Sequence, residues 1–378
     1  MKEGWEYKKL GEVCRIERGG SPRPIKDFIT NSPDGLNWIK IGDTDPQGKY
    51  IYSTKEKIKP EGLRKSRWVE VDEFLLSNSM SFGRPYILKT NGCIHDGWLV
   101  LRDYQNSLII DYFYYLLISP HVQNQFRTKA QGSTVSNLNT DRVADVNIAF
   151  PPLSEQQSIV DYLDSAFAKI DAMKANAEKA LNEAKALFQV SLKEMLEPKE
   201  GWEEKLLPEI SENLDSIRKP VTKGKRTAGI YPYYGASGIV DYVDDYLFDE
   251  DLLCISEDGA NLLMRTYPIA FPISGKVWVN NHAHVLRFKS IVTQKYVEYC
   301  FSGMKLDEYI TGAAQPKLTQ KALNSIIINL PSTLDEQQSI VATLDSLKSK
   351  VDRLQANFDK ISQECDALKQ AILRQVFE

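Results

Sequence analysis

The chain has 378 residues, of which 42% are hydrophobic and 26% are charged, and its formal net charge is −4. The length allows two or three domains with cores of their own, and no apolar run is long enough to span a membrane. The charged N-terminus predicts no signal peptide, and five scattered cysteines predict reduced thiols in the cytoplasm. The net charge argues against a protein that binds nucleic acid by charge alone, so a partner is expected to supply much of the phosphate attraction.

The sequence contains an internal repeat. Residues 2–6 recur at 199–203, and residues 155–160 recur letter for letter at 336–341. The stretches between these shared ends differ almost completely. The repeat predicts four segments: a globular domain over 1–150, a helix over 151–198, a globular domain over 199–330 and a helix over 331–378. Two similar units related by a pseudo-two-fold axis suit a partner that is itself two-fold symmetric, such as duplex DNA.

Short β-rich segments alternate with short helices in both globular stretches. The predicted strands are 38–42, 98–102, 252–256, 277–280 and 283–288, and the predicted helices are 110–118 and 294–301. The fold class expected is α+β, with two mixed α/β domains and two long helices.

The long helices are predicted from apolar residues spaced as in the a and d positions of a coiled coil. The predicted seam comprises Ile159, Leu163, Ile170, Met173 and Leu187 in the first helix, and Ile340, Leu344, Leu347, Val351, Leu354, Phe358, Ile361, Leu368 and Ile372 in the second. Ser154 with Gln157 and Asp335 with Gln338 have the spacing of capping boxes. Joined through a large domain, the helices are expected to pack antiparallel and to hold the domains at a fixed separation.

Motifs for catalysis are absent from the sequence. Residues 42–49 imitate a phosphate-binding loop, but the spacing is one residue too long and Tyr50 stands where a hydroxyl must hold Mg²⁺. No glycine-rich loop follows a strand for S-adenosylmethionine. His282 and His284 alternate on a predicted strand and would point to opposite faces, which argues against a metal site. The chain is therefore predicted to be non-catalytic, without a metal or a cofactor of its own.

The loops of the two globular stretches carry residue types that bind DNA. Arg and Lys can take guanine edges, Asn can take adenine edges, and Ser can fix phosphates. The same residues are also common in turns that bind nothing. The candidate DNA contacts are Arg18, Ser21, Arg23, Lys40, Asn78, Ser79, Arg84, Ser133, Thr134, Asn137, Arg218, Lys219, Lys223, Lys225, Tyr233, Tyr234, Ser237, Asn261, Asn280, Gln315 and Lys317.

Together these features resemble the specificity subunit of a type I restriction–modification enzyme. The resemblance covers the whole chain. It is carried by three motifs that recur in the same order, Gly-Trp-Glu at 4–6 and 201–203, Pro at 151–152 and 331, and Glu-Gln-Gln at 155–157 and 336–338, together with the run at 233–238. It implies two target-recognition domains, two docked modification (methyltransferase) subunits and, in the full enzyme, ATP-dependent restriction subunits. S-adenosylmethionine, ATP and Mg²⁺ are then expected on those partners. Each domain is expected to read one half of an asymmetric bipartite site.

Three alternatives remain open from the sequence. The chain could be a coiled-coil adaptor that binds only proteins, or an enzyme whose site is not recognised. It could also keep this fold and serve a fused restriction–methylation enzyme of another type.

Overall fold

The computed structural model describes residues 4–46, 48–78, 83–130, 138–312 and 314–378. The chain divides into two compact units: unit 1 is Met1–Asn176 with Asp359–Glu378, and unit 2 is Ala177–Phe358. Two helices of 44 residues, α5 (Leu153–Leu196) and α10 (Leu334–Phe377), each contribute one part to both units. The two mixed domains and two long helices of the predicted fold class are confirmed. None of the described helices combines the length and hydrophobicity of a membrane span.

Unit 1 contains twelve strands and four short helices among its described residues. The strands are β1 (Glu6–Lys9), β2 (Arg15–Arg18), β3 (Ile29–Thr30), β4 (Leu36–Ile39), β5 (Tyr50–Ile51), β6 (Glu56–Ile58), β7 (Arg67–Val69), β8 (Phe74–Ser77), β9 (Pro85–Leu88), β10 (Gly92–Ile94), β11 (Trp98–Arg102) and β12 (Asn147–Phe150). The helices are α1 (Leu10–Val13), α2 (Ile110–Ile118), α3 (Pro120–Ala130) and α4 (Thr140–Ala144). Two five-stranded sheets have the orders β3-β6-β4-β10-β7 and β2-β11-β8-β9-β5, and β1 pairs with β12.

Unit 2 begins and ends with the same kind of strand pair as unit 1, but its other sheets are different. Its strands are β13 (Glu203–Leu206), β14 (Ser211–Asn213), β15 (Ala228–Gly235), β16 (Gly238–Val243), β17 (Phe248–Asp249), β18 (Leu252–Ser256), β19 (Ala270–Ile273), β20 (Lys276–Val279), β21 (Ala283–Phe288), β22 (Ile310–Thr311), β23 (Lys317–Leu318) and β24 (Ile327–Leu330). Its short helices are α6 (Leu207–Ile210), α7 (Asn261–Met264), α8 (Ile291–Gly303) and α9 (Gln320–Asn324). The four-stranded sheets have the orders β14-β21-β18-β19 and β16-β15-β20-β17; β13 pairs with β24, and β22 with β23.

The repeated motifs form the same structural pin in each unit. Gly4 and Gly201 have φ of 82° and 87°, a conformation that favours glycine, and each turns the chain so that the next residue points inward. The indole of Trp5 donates to Glu155 at 2.7 Å, and that of Trp202 donates to Glu336 at 3.0 Å. The pin thus ties the start of each globular stretch to the first turn of its long helix.

The middle residue of each Glu-Gln-Gln motif is a buried glutamine, which adds further hydrogen bonds to each pin. Gln156 donates to the Pro151 carbonyl at 3.0 Å and accepts from the Ile109 amide at 2.9 Å. Gln337 donates to the Pro331 carbonyl at 3.0 Å and accepts from the Thr293 hydroxyl at 2.8 Å. Since a buried amide is costly unless its hydrogen bonds are made, these positions require glutamine.

In each unit, two tyrosines of one short helix form hydrogen bonds to the last strand and to a long helix, and these contacts were not predicted from the sequence. Tyr112 and Tyr296 donate to the carbonyls of the last strand of each unit, Ala149 at 3.1 Å and Asn329 at 2.7 Å. One helical turn later, Tyr115 donates to Asp164 on α5 and Tyr299 donates to Asp345 on α10. The shared spacing of Tyr-x-x-Tyr in both copies was the available signal.

The long helices pack antiparallel within each unit. In unit 1 Lys369 pairs with Asp171 at 2.5 Å and Lys174 pairs with Asp366 at 3.8 Å, so the residue numbers of the two helices run in opposite directions. In unit 2 Lys185 of α5 donates to Gln355 of α10 at 2.8 Å. The predicted antiparallel pair is confirmed.

The predicted seam is wrong at three positions. Met173, Leu187 and Leu368 are 59%, 58% and 47% exposed. In α5 the series of buried or half-buried positions that follows the heptad spacing is Val160, Leu163, Phe167, Ile170, Lys174, Ala177, Leu181, Ala184 and Phe188. The predicted series that contains Leu163 and Ile170 is therefore correct. In the series that contains Met173 and Leu187, the residue that packs inward is the next one along the chain. The remaining seam residues are buried or half-buried.

The capping boxes are also corrected. Leu153 and Leu334 already begin the helices, so Ser154 and Asp335 lie inside the first turn. Gln157 bonds Asp161 instead, at 2.8 Å. The Thr333 hydroxyl accepts from the Glu336 amide at 3.2 Å and is the actual cap of α10.

The predicted short elements agree with the structure over most of their length. Strands 98–102, 252–256 and 283–288 and helix 110–118 are observed with the predicted bounds, and helix 294–301 lies within α8. The strand predicted over 38–42 is β4, which ends at Ile39 because the Asp43 carboxylate accepts from the Lys40 amide at 2.8 Å and starts a 3₁₀ turn. The domain boundaries predicted at 150, 198 and 330 stay a prediction.

Candidate nucleic-acid interface

In unit 1, four predicted contact residues meet at Asp96. The Ser21 hydroxyl donates to its carboxylate at 2.6 Å and Arg23 pairs with it at 3.2 Å. Arg18 and Asn78 donate to its backbone carbonyl at 3.1 and 2.8 Å. The Ser21 hydrogen bond, with the charge of Arg23, holds the pKa of Asp96 below its ordinary value. Asp96 therefore stays ionised and organises the loop.

These residues differ in what they can present to DNA. Arg23 has a side chain 79% exposed and stands at the edge of the loop. Asn78 is 1% exposed and its amide is held by Asp96, so it positions the loop and does not present its side chain at the surface.

A concave surface with a volume of about 920 Å³ adjoins the Asp96 loop and is lined by Ser21, Arg23, Trp38, Lys40 and His95. Lys40 is paired with Glu56 at 2.7 Å, which neutralises part of its charge. Burial lowers the pKa of His95, so its ring is neutral near pH 7. Arg23 and Lys26 are therefore the exposed basic groups of this surface.

Several candidates of unit 1 lie apart from this surface or outside the described residues. Arg84 has its guanidinium 5.5 Å from the centre of the Tyr86 ring. Ser79, Ser133, Thr134 and Asn137 lie outside the described residues.

In unit 2 a buried charge network holds two of the predicted contacts. Arg218 pairs with Glu257 at 2.7 Å and with Asp215 at 3.1 Å, and Lys317 pairs with Glu257 at 3.0 Å. His284, which is fully buried, lies 2.6 Å from Asp215 and 2.8 Å from the Leu318 carbonyl. Sequence reasoning missed this network because its members are far apart in the chain.

Electrostatics keeps the two carboxylates of this network ionised. Burial by itself would raise the pKa of Asp215, but hydrogen bonds from His284 and the Val285 amide bring that pKa below its ordinary value. The pKa of Glu257 is lowered in the same way, against burial, by Arg218 and Lys317. Arg218 is therefore an anchor inside the unit.

Asp215, Glu257 and His284 have ligand atoms within 4.8 Å of one another, a spacing that a metal ion could use. Both carboxylates already hold Arg218, and both ring nitrogens of His284 already face oxygen atoms. The donor set therefore suits an internal ion-pair network better than a cation. The prediction that the chain binds no metal stays a prediction.

A second arginine fixes the other end of the basic segment 218–226. Arg226 pairs with Asp241 at 2.9 Å, donates to the Val221 carbonyl at 2.9 Å and lies 4.2 Å from the centre of the Tyr233 ring. The Tyr233 hydroxyl accepts from the Val221 amide at 2.9 Å. The hydrogen bond from Arg226 lowers the pKa of Asp241, which keeps this clasp charged.

Between the two anchoring arginines, the lysines face solvent. Lys219, Lys223 and Lys225 are exposed, and within the described chain they form no ion pair or side-chain hydrogen bond; Lys223 lies close enough to Asp241 to lower its pKa. We call residues 218–226 the lysine arm. Its geometry assigns anchoring to the arginines and leaves the lysines available for phosphates.

The other candidates of unit 2 separate into exposed and structural residues. Ser237, in the turn between β15 and β16, and Gln315 are exposed. Tyr233 is 1% exposed, and Asn280 is 6% exposed and accepts from the His282 amide at 2.8 Å. Tyr234 stacks on Phe271, and Asn261 closes its own loop by a bond to the Tyr267 carbonyl.

Comparison with known proteins identifies relatives along nearly the whole chain. Residues 2–183 and 199–362 match the family described as type I restriction modification DNA specificity domain. A type I restriction enzyme specificity subunit from Haemophilus influenzae is 36% identical over 157 residues, which is 41% of this chain and 40% of that relative. The EcoprrI specificity subunit from Escherichia coli is 22% identical over 376 residues, 94% of this chain and 90% of that one.

Solved structures share the fold. A chain from a structure of type I restriction–modification complex assembly has a TM-score of 0.77 at 18% identity, covering 99% of this chain and 97% of that one. The HsdS subunit from Thermoanaerobacter tengcongensis has a TM-score of 0.60 at 20% identity, covering 100% and 97%.

Proposed function

We propose, from the fact that this chain belongs to the type I restriction modification DNA specificity family, that each of its two units reads one half of a bipartite DNA site. The chain is a specificity subunit, and its two matched segments are DNA target-recognition domains. The observation that carries the proposal is that the two units share their pins but not their sheets or exposed loops. Unlike surfaces on a common frame favour an asymmetric site with two different halves.

The proposed complex supplies the chemistry that this chain lacks. Two modification subunits would bring S-adenosylmethionine and methylate a flipped adenine in each half, and ATP- and Mg²⁺-dependent restriction subunits would cut. This chain would select the DNA, dock the modification subunits on its helices and set the spacing between the halves. It would act in the cytoplasm, where that DNA lies.

Sequencing of methylated bases in a host that expresses the chain with its modification subunit tests this function. We expect one bipartite motif, and we expect that exchanging 4–150 for the corresponding part of another family member changes one half only. A change in both halves would contradict the division between the units. Loss of all sequence preference in gel shifts would contradict the function itself.

The lysine arm gives a quantitative prediction. Substituting Lys219, Lys223 and Lys225 together by glutamine is expected to reduce the slope of log affinity against log salt by about two to three, because each phosphate contact contributes about 0.9. The methylation motif should stay the same, since phosphate contacts carry no sequence information. The measurement is a salt titration of DNA binding by the complex with the modification subunit.

The control has the same loss of charge at exposed lysines elsewhere in unit 2: Lys289, Lys305 and Lys321 replaced by glutamine. If both triple variants show the same slope, the arm does not contact DNA.

A further inference from the structure

A pocket of about 480 Å³ lies in unit 2, between the last turns of α5 and the C-terminal end of α8. Its walls include Leu192 and Leu196 from α5, Cys300 and Gly303 from α8, and Ile327 from β24. Ile327 is 46% exposed although it is a large apolar residue. The lining is mostly apolar but also includes Gln189 and Asn329, and the pocket is open to solvent. No residue described above as a DNA contact lines it.

The same place in unit 1 is filled by larger side chains. The last residue of α10 is Phe377, where α5 ends in Leu196. Phe377 is 1% exposed and its ring centre lies 5.6 Å from that of Tyr112. The two other replacements also remove volume. Leu116 of α2 and Ser119, the residue that follows α2, stand four and seven residues after Tyr112, as Cys300 and Gly303 stand after Tyr296.

Leu116 and Ser119 are both fully buried, so the position is solid in unit 1. The structure of unit 1 therefore shows what fits here: a bulky apolar side chain carried on a helix. Smaller residues at these three positions leave open a space that unit 1 fills, although packed side chains normally leave few such spaces.

The surroundings of the pocket suit a protein partner. On α5, Leu187 and Val190 are 58% and 52% exposed and stand one turn apart, and Val190 precedes the pocket residue Lys193 by one turn. Lys193 and Glu197 give the rim one charge of each sign, which does not favour DNA. Adjacent exposed apolar residues with a polar rim are typical of protein interfaces.

We propose that this pocket binds one bulky apolar side chain, aromatic or leucine-like, from a helix of the modification subunit. The inference rests on the proposed function, because it takes its partner from the complex described there. The inserted side chain would occupy the place that Phe377 fills in unit 1. Buried anchors of this kind carry much of the binding energy of an interface.

Filling the pocket from within tests the proposal. Leu196→Phe restores the residue of the other copy and is expected to weaken binding of the modification subunit on the order of thirtyfold, the effect of losing a strong anchor. The melting temperature of the chain alone should stay equal or rise, because a cavity is filled. Affinity is measured by calorimetric titration of the full chain with the modification subunit. Leu368→Phe, the same change at a 47% exposed leucine of α10, is the control and should bind normally.

A folded Leu196→Phe variant that binds the modification subunit as tightly as the native chain would overturn the proposal. If that variant is destabilised, Gly303→Ser, which copies Ser119, repeats the test with a smaller side chain, and normal binding by it would overturn the proposal as well. Gel shifts with the native complex separate the two claims. Selective DNA binding by the native complex, together with normal binding by the filled variants, contradicts the pocket alone. Absence of any selective DNA complex contradicts the proposed function.

Discussion

Trp5→Ala is expected to destabilise unit 1 by about 3–5 kcal/mol, a large part of the stability of an ordinary domain. Trp5 is 9% exposed and belongs to the core of unit 1. Its removal opens a cavity and leaves the Glu155 carboxylate without the indole donor at 2.7 Å. Because that bond joins the residue before β1 to the first turn of α5, the loss should spread to both elements. Hydrogen exchange of peptides from β1, β12 and α5 in a urea series measures it.

Trp5→Phe is the control for the hydrogen bond. It keeps most of the buried ring and removes only the N–H donor, so the expected cost is about 1–3 kcal/mol. Trp202→Ala should cost less than Trp5→Ala, because Trp202 is only partly buried. If Trp5→Ala changes the unfolding free energy of unit 1 by less than 1 kcal/mol, the pin is not what holds these elements together.

The frame could be predicted from the sequence because its signals are local or repeated. The apolar period gives two long helices, and their observed bounds lie within a few residues of those expected. The recurrence of Gly-Trp-Glu and Glu-Gln-Gln indicates that these residues have the same structural role in both copies. It does not predict the hydrogen bond between Trp5 and Glu155, which are far apart in the sequence.

The phase of the seam was harder to predict than its existence. In α5 Ile159 and Val160, or Ala166 and Phe167, are adjacent apolar residues, and either choice gives a heptad. The ends of the helices also pack on globular domains, so Val160 and Leu163 are buried in the core of unit 1. A period alone cannot decide which of two neighbours faces that core.

DNA contacts were predicted from residue type alone. Residue type does not distinguish a side chain held in an internal ion-pair network from one that is exposed to solvent. Arg218 and Lys219 are neighbours in the sequence, yet one is inside a charge network and the other is exposed. The difference comes from Glu257 and Asp215, carboxylates that only the folded chain brings to Arg218. Which exposed residues contact DNA stays a prediction.

Arg218→Met is expected to destabilise unit 2 by about 3–5 kcal/mol at pH 7, because it leaves two buried carboxylates without their shared cation. The side chains of Arg218, Asp215 and Glu257 are 11%, 7% and 12% exposed, so water can replace little of the lost interaction. Both carboxyls have pKa values below their ordinary ones. Their contribution is therefore complete above the unfolded-state pKa of about 4 and is lost as the pH falls through the folded values.

Lys219→Met is the matched control, since it removes the same charge one residue away. Lys219 is exposed, so its unfolding free energy should change by less than about 0.5 kcal/mol while DNA binding weakens. Glu257→Gln in the Arg218→Met background should recover part of the loss, because it removes one uncompensated charge. Chemical denaturation of all three variants, beside salt titrations of DNA binding, separates the roles. Equal stability of Arg218→Met and Lys219→Met would mean that Arg218 is not an anchor, and a direct contact with DNA would then be the better explanation for its place in the arm.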